Sequence, residues 1–260
     1  MIGLLRRLGS AGLNLAAEAG RMQVFLVQSI AGALRPPLRL ALIVEQIHFL
    51  GVRSWPVIVL TGAFTGAVLS LQGYHMLSRF GSEAALGSGV ALSLVRELGP
   101  VLTALMVTGR AGSAMSAELG IMRISEQIDA LETMNLGPIK FLISPRITAM
   151  IFIMPLLAAI FIIVGLIGGR LVGVELLGVN AGAFHYGLLH SVSAKDLAGG
   201  LVKTIVFGAT IGLVCAYKGF YTHRADRHGA SGVGRSATSA VVISSVLILA
   251  WDFILTSIMM

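Results

Sequence analysis

Five stretches of this chain are long and apolar enough to cross a lipid bilayer, and nothing else in the sequence narrows the choice of fold so far. A spanning helix needs about 20 mostly apolar residues, because each backbone N–H and C=O in hydrocarbon has to be satisfied within its own segment. Residues 54–78, between Arg53 and Arg79, and residues 147–169, between Arg146 and Arg170, hold no Asp, Glu, Lys or Arg. Residues 84–109 hold only the adjacent Arg96 and Glu97, residues 197–217 only Lys203, and residues 236–260 only Asp252. Charged residues make up 12% of the chain, whereas soluble domains carry about 25%. The expectation is an all-α integral membrane protein with five transmembrane helices.

Residues 22–34 are uncharged but too short to span, and Arg21, Arg35 and Arg39 surround them. They are expected to form an amphipathic helix lying in the membrane interface. The chain then divides into an N-terminal interfacial region, 1–53, and a five-span domain, 54–260. Lys and Arg set the orientation. Fourteen fall on the side holding the N-terminus and the 110–146 and 218–235 loops, and three (Arg79, Arg170 and Lys195) on the other. This places the N-terminus in the cytoplasm and the C-terminus outside.

Several chemistries are absent. There is no GxxxxGK[ST] phosphate loop, no HExxH and no Cys/His cluster, and Cys215 is the single cysteine. The motif 229-GASG-232 lacks the spacing of a nucleophile elbow, and His75, His223 and His228 are scattered. A non-catalytic chain without a metal or cofactor of its own is expected. The net charge of +7 fits basic loops facing anionic lipid rather than nucleic acid.

The intramembrane charges need a reason, since each would cost about 2.5–3.5 kcal/mol if isolated in the bilayer. With the N-terminus inside, Arg96, Glu97, Lys203 and Asp252 all lie about 9–12 Å below the outer surface, and together they are neutral. Adjacent residues point about 100° apart on a helix. Glu97 is therefore expected to face the bundle and pair with Lys203, with Asp252 close by. Arg96 is expected nearer a cavity, where it meets a phosphate or Asp252. Gly87 and Gly89 mark a place where the second helix could open. Small residues at Gly62/Gly66, Gly165/Gly169/Gly173 and Gly208/Gly212 allow close helix packing, within one chain or between copies.

Between the second and third spans, Ile121, Ile124, Ile128 and Leu131 recur at helical spacing, and Gly137 and Pro138 stop the pattern. Glu118, Arg123, Glu126, Asp129 and Glu132 give this stretch a net charge of −3 on an otherwise basic side. It reads either as a surface helix against the bundle or as a helix that plugs into a cytoplasmic protein partner.

The run 92-LSLVRELGPVLTALMVTGRAGSAMSAELGIMRISEQIDALETM-134, with 71-LQGY-74 before it and 144-SPR-146 after it, resembles the permease family of the Mla phospholipid transporter. Mla is the ABC system that maintains lipid asymmetry in Gram-negative bacteria. Related permeases serve mycobacterial Mce importers and a chloroplast lipid importer. The resemblance covers roughly residues 40–260. It implies a homodimer in the inner membrane, working with a cytoplasmic ATPase dimer that binds ATP and Mg. It also implies a small accessory protein on that ATPase and a periplasmic hexamer of MCE-domain subunits. The substrate would be a glycerophospholipid held between two permeases. The 121–134 helix would couple to the ATPase through Glu126, Ile128, Asp129, Leu131, Glu132 and Met134.

On the first span Leu69, Gly73, Met76, Leu77 and Phe80 fall on one helical face near the outer end. With Arg96 and Leu98 they are the expected cavity wall, Met and Phe being suited to varied acyl chains. Two competing functions remain: a self-sufficient channel or secondary transporter using the intramembrane charges, and a non-transporting scaffold.

Overall fold

The computed structural model describes residues 13, 17–18, 20–32, 40–222 and 229–259. Arg6, Arg7, Arg35, Arg39, His223, Arg224, Arg227, His228 and Met260 lie outside them. Among the described residues there is no strand. Five helices are long and apolar enough to cross a membrane: Trp55–Ser78, Glu83–Ile124, Ile139–Leu176, Ala194–Phe220 and Ala230–Met259. They are called the first to fifth spans below.

The second span is longer than the sequence suggested. Its 42 residues cover about 63 Å, twice the hydrocarbon thickness. No loop begins at residue 110. The helix continues because 113-SAMSAELGIMRI-124 buries Met115, Leu119 and Gly120 against the fourth and fifth spans. The third span is central, packing on the first and the fourth. Its contact with the first is backbone to backbone. A Cβ on Gly66 would overlap the Gly165 carbonyl, and one on Gly168 the Ala63 carbonyl. The fifth span is the least buried, exposing Val242, Val246, Leu249 and Phe253.

A further helix, Ala181–Ser191, lies between the third and fourth spans. Sequence reasoning missed it, because its short apolar pattern is broken by Gly182, His185 and Gly187. Asn180 caps it by accepting from the Ala183 N–H at 3.0 Å. Its Phe184 is fully buried, and a Cβ on Gly87 would overlap the Phe184 carbonyl. Gly87 is therefore a site of close helix approach. The chain is helical through Leu86–Ser93, so the glycines do not open the second span there.

Residues 20–32 are helical, and Leu40–Ile47 with His48–Val52 leads into the first span. The 20–32 helix docks on the bundle through Phe25 and Ser29, while Val24, Val27 and Ile30 are exposed. Phe25 is buried with its ring 5.6 Å from Tyr217 and 5.8 Å from Phe220. The Ser144 hydroxyl donates to the Ser29 carbonyl at 2.8 Å.

Candidate functional site

The second span changes its winding where its charges sit. Leu94–Leu98 forms one wide turn, in which the Gly99 N–H reaches back to the Leu94 carbonyl. Pro100 follows, and proline has no N–H to give to the residue four before it, Arg96. The Lys203 ammonium from the fourth span donates to that Arg96 carbonyl at 3.0 Å. The same ammonium lies 2.7 Å from Glu97 Oε2, 2.7 Å from Thr256 Oγ1 and 3.0 Å from Asp252 Oδ1. Thr256 in turn donates to Glu97 Oε1 at 3.2 Å. The second, fourth and fifth spans thus converge on one ammonium whose side chain is 4% exposed. A charge so sheltered is tolerable only when opposite charges and aligned acceptors surround it. The Glu97–Lys203–Asp252 grouping matches the sequence expectation. Thr256 and the Arg96 carbonyl were not foreseen.

Arg96 departs from expectation. Its Nε donates to Asp196 Oδ1 at 2.8 Å, and Asp252 is not its partner. Asp196 lies just before the apolar run 197–217, but the helix begins at Ala194 and includes it. There Ser193 and Asp196 form a capping box: the Ser193 N–H and hydroxyl donate to Asp196 Oδ2 at 2.9 and 2.8 Å. The signal was legible in 193-SAKD-196, a capping spacing ahead of an apolar run.

A pocket of about 560 Å³ opens beside this cluster. Arg96, Glu97, Lys195, Asp196 and Lys203 supply its polar wall, and Val202, Ile258 and Met259 its apolar one. Of the expected cavity residues only Arg96 lines it. Leu69, Leu77 and Leu98 are half-buried and pack on the core, and Gly73 faces the Leu86 side chain. Met76 and Phe80 are 69% and 81% exposed. The first span ends at Ser78, so Phe80 sits in the following turn and does not continue the helical face.

At the basic end of the bundle the isoleucine stripe is broken. Glu126 adopts φ 58°, a left-handed conformation uncommon outside glycine, and separates Ser113–Ile124 from Gln127–Thr133. Ile121 and Ile124 are exposed, Ile128 is fully buried and Leu131 is half-buried. A single helix over 121–134 is therefore not formed. The segment stops at Asn135, also left-handed, ahead of Gly137 and Pro138. Glu126, Glu132 and Met134 are exposed, with Asp129 half-buried. Arg123 Nη1 lies 2.8 Å from Asp129 and 3.7 Å from Glu132. Nearby, the buried Arg146 meets Glu118 at 2.9 Å and donates to the Leu142 carbonyl at 3.1 Å. Among the described residues no group of three or more His, Cys, Asp or Glu is placed to hold a metal ion.

Comparison with known proteins gives consistent matches. A family model described as Permease MlaE matches residues 43–258. The chain is similar to the intermembrane phospholipid transport system permease protein MlaE of Haemophilus influenzae, 39% identical with 100% of this chain and 98% of that protein covered. A probable ABC transporter permease protein of Rickettsia felis is 43% identical over 98% of this chain and 97% of its own length. The chloroplastic protein TRIGALACTOSYLDIACYLGLYCEROL 1 of Arabidopsis thaliana is 36% identical over 82% of this chain and 60% of its own length.

Proposed function

The chain belongs to the MlaE permease family of ABC transporters, and on that premise we propose that it moves glycerophospholipid between the inner and outer membranes of a Gram-negative cell. It is a multi-pass membrane protein. The observation that carries the reading is the full-length match to a relative named for intermembrane phospholipid transport. The pocket beside Arg96 is chemically suited to the task. Arg96 and Lys195 offer donors for a phosphate, while Val202, Ile258 and Met259 offer apolar contact for the glycerol and upper acyl carbons. A second copy would bring Met76 and Phe80 out of lipid, and in such a homodimer the first-span face with Leu98 would line the acyl chains.

The energy source in this reading is a separate cytoplasmic ATPase dimer carrying ATP and Mg, with its accessory protein. A periplasmic MCE hexamer receives or delivers the lipid. The ATPase seats on the exposed acidic surface of 126–134. The N-terminus lies in the cytoplasm and the C-terminus in the periplasm. An ion or proton path is less well supported, because Glu97, Lys203 and Asp252 pair with one another at a single level. The test is reconstitution of the permease with its ATPase in liposomes. ATP-dependent transfer of a labelled phospholipid is expected, and transfer that ignores ATP would end the proposal. A reporter fused after Ile258 should be active only outside the cytoplasm.

A further inference from the structure

We infer that Arg123 is a positioning residue that passes movement of the Gln127–Thr133 segment into the second and fourth spans, and so to the ion cluster at their far ends. The inference rests on the ATP-driven reading above, and its support is geometric. The peptide link between the second span and the segment is a left-handed corner at Glu126. The corner itself is solvent-exposed, so beyond the backbone the segment is tied to the bundle by the buried Ile128 and by Arg123. Arg123 bridges the corner. Its guanidinium forms an ion pair forward with Asp129 at 2.8 Å and lies near Glu132. The same group sits 5.5 Å over the ring of Phe220, the last residue of the fourth-span helix. Phe220 is buried and also packs on Phe25. One side chain therefore touches the segment and the ends of two spans. The residue type matters: a guanidinium can stack on a ring and offer forked donors at once, whereas an ammonium cannot do both.

The two spans it touches are fastened to each other along their length. A Cβ on Gly219 would come within 2.6 Å of the Ser116 carbonyl, and one on Gly200 within 3.0 Å of the Val95 carbonyl. Backbones this close leave no room to slide independently. Near their far ends the same pair is joined by Arg96–Asp196 and Glu97–Lys203. Phe220 and Lys203 lie on one unbroken helix, about 26 Å apart along its axis. A displacement applied through Arg123 thus moves the second and fourth spans as one lever. The far end of that lever is the polar wall of the pocket.

The test uses the permease–ATPase complex in liposomes, scoring ATPase co-purification, ATP hydrolysis and phospholipid moved per ATP. Arg123→Gln is expected to leave co-purification intact and to lower lipid moved per ATP about tenfold, the scale of a lost ring contact and a half-open ion pair taken together. Arg123→Lys, which keeps the charge and loses the stack, should fall between the two. Phe220→Leu keeps apolar packing but removes the ring, and should show the same loss per ATP. It decides the matter if Arg123→Gln fails to fold. An unchanged lipid yield per ATP in Arg123→Gln and Phe220→Leu overturns the inference. So does loss of the ATPase from Arg123→Gln, which would make Arg123 part of the docking surface alone. A wild-type complex that hydrolyses ATP without moving lipid removes the underlying function, an outcome visible before any variant is made.

Discussion

Lys203 and Arg123 are both cations with two acidic neighbours on other helices or helical segments, yet they stand in opposite surroundings. Lys203 is 4% exposed, and its partners Glu97 and Asp252 are 36% and 21% exposed. Arg123 is 16% exposed, while Asp129 and Glu132 are about half open to water at 49% and 52%. Ion pairs in water contribute little, because solvation of the separated charges nearly matches their attraction. A charge sealed from water is different: removing its partner strands it. The first cluster is therefore a structural commitment, and the second a contact that can be remade. This division suits the proposed function, in which the far end offers a polar pocket and the basic end is where an ATPase would dock.

The largest effect should come from breaking the sealed cluster. Lys203→Met leaves Glu97 and Asp252 facing each other without a cation and the Arg96 carbonyl without its lysine donor. We expect a loss of about 3–5 kcal/mol, read as a collapse of the thermal midpoint in detergent. A midpoint close to wild type would show that water reaches the cluster. Glu97→Lys alone should be as damaging, and adding Lys203→Glu should restore it only in part. The exchange returns opposite charges, but a carboxylate cannot donate to the Arg96 carbonyl. Full recovery would remove that hydrogen bond from the account.

Arg146 sharpens the comparison, because it is as buried as Lys203 at 4% but has one acidic partner, Glu118 at 41% exposed, where Lys203 has two, of which Asp252 is only 21% exposed. Arg146→Met lets Glu118 hydrate, so the expected cost is smaller, about 1–3 kcal/mol, and should be measured beside Lys203→Met under the same conditions. An equal cost in both would mean that burial of the partner is irrelevant. Pro100→Ala tests the backbone half of the sealed cluster. An amide at position 100 can serve the Arg96 carbonyl, so Lys203→Met should cost about 1 kcal/mol less in that background. Strict additivity would contradict the proposed link.

The smallest effect on stability belongs to the open cluster. Asp129→Asn with Glu132→Gln should shift stability by less than about 0.5 kcal/mol. Reversing Glu126 and Glu132 to lysine should nonetheless weaken ATPase co-purification while the permease still inserts. If the ATPase binds those variants as well as wild type, the acidic surface is only a solvated face.

Much of the architecture is written in the sequence. Five long apolar runs, two of them uninterrupted between Arg53 and Arg79 and between Arg146 and Arg170 and three carrying only one or two charges, fix the number of spans, because hydrocarbon tolerates neither unpaired backbone nor stray charge. The pairing of Glu97 with Lys203 and Asp252 was also legible, since equal depth and zero net charge leave few other partners. Tertiary structure decided the rest. Whether Arg96 turns to Asp252 or Asp196 depends on where a helix starts and how far a long side chain reaches. Whether Leu69 and Met76 share a cavity depends on which neighbour covers each face, and helical spacing is blind to neighbours. The corner at Glu126 stands where periodicity predicted continuity, and beyond it Ile128 is fully buried while Ile121 and Ile124 before it are exposed. Local pattern determines what must leave water; which partner receives it is settled only by the three-dimensional packing of distant segments.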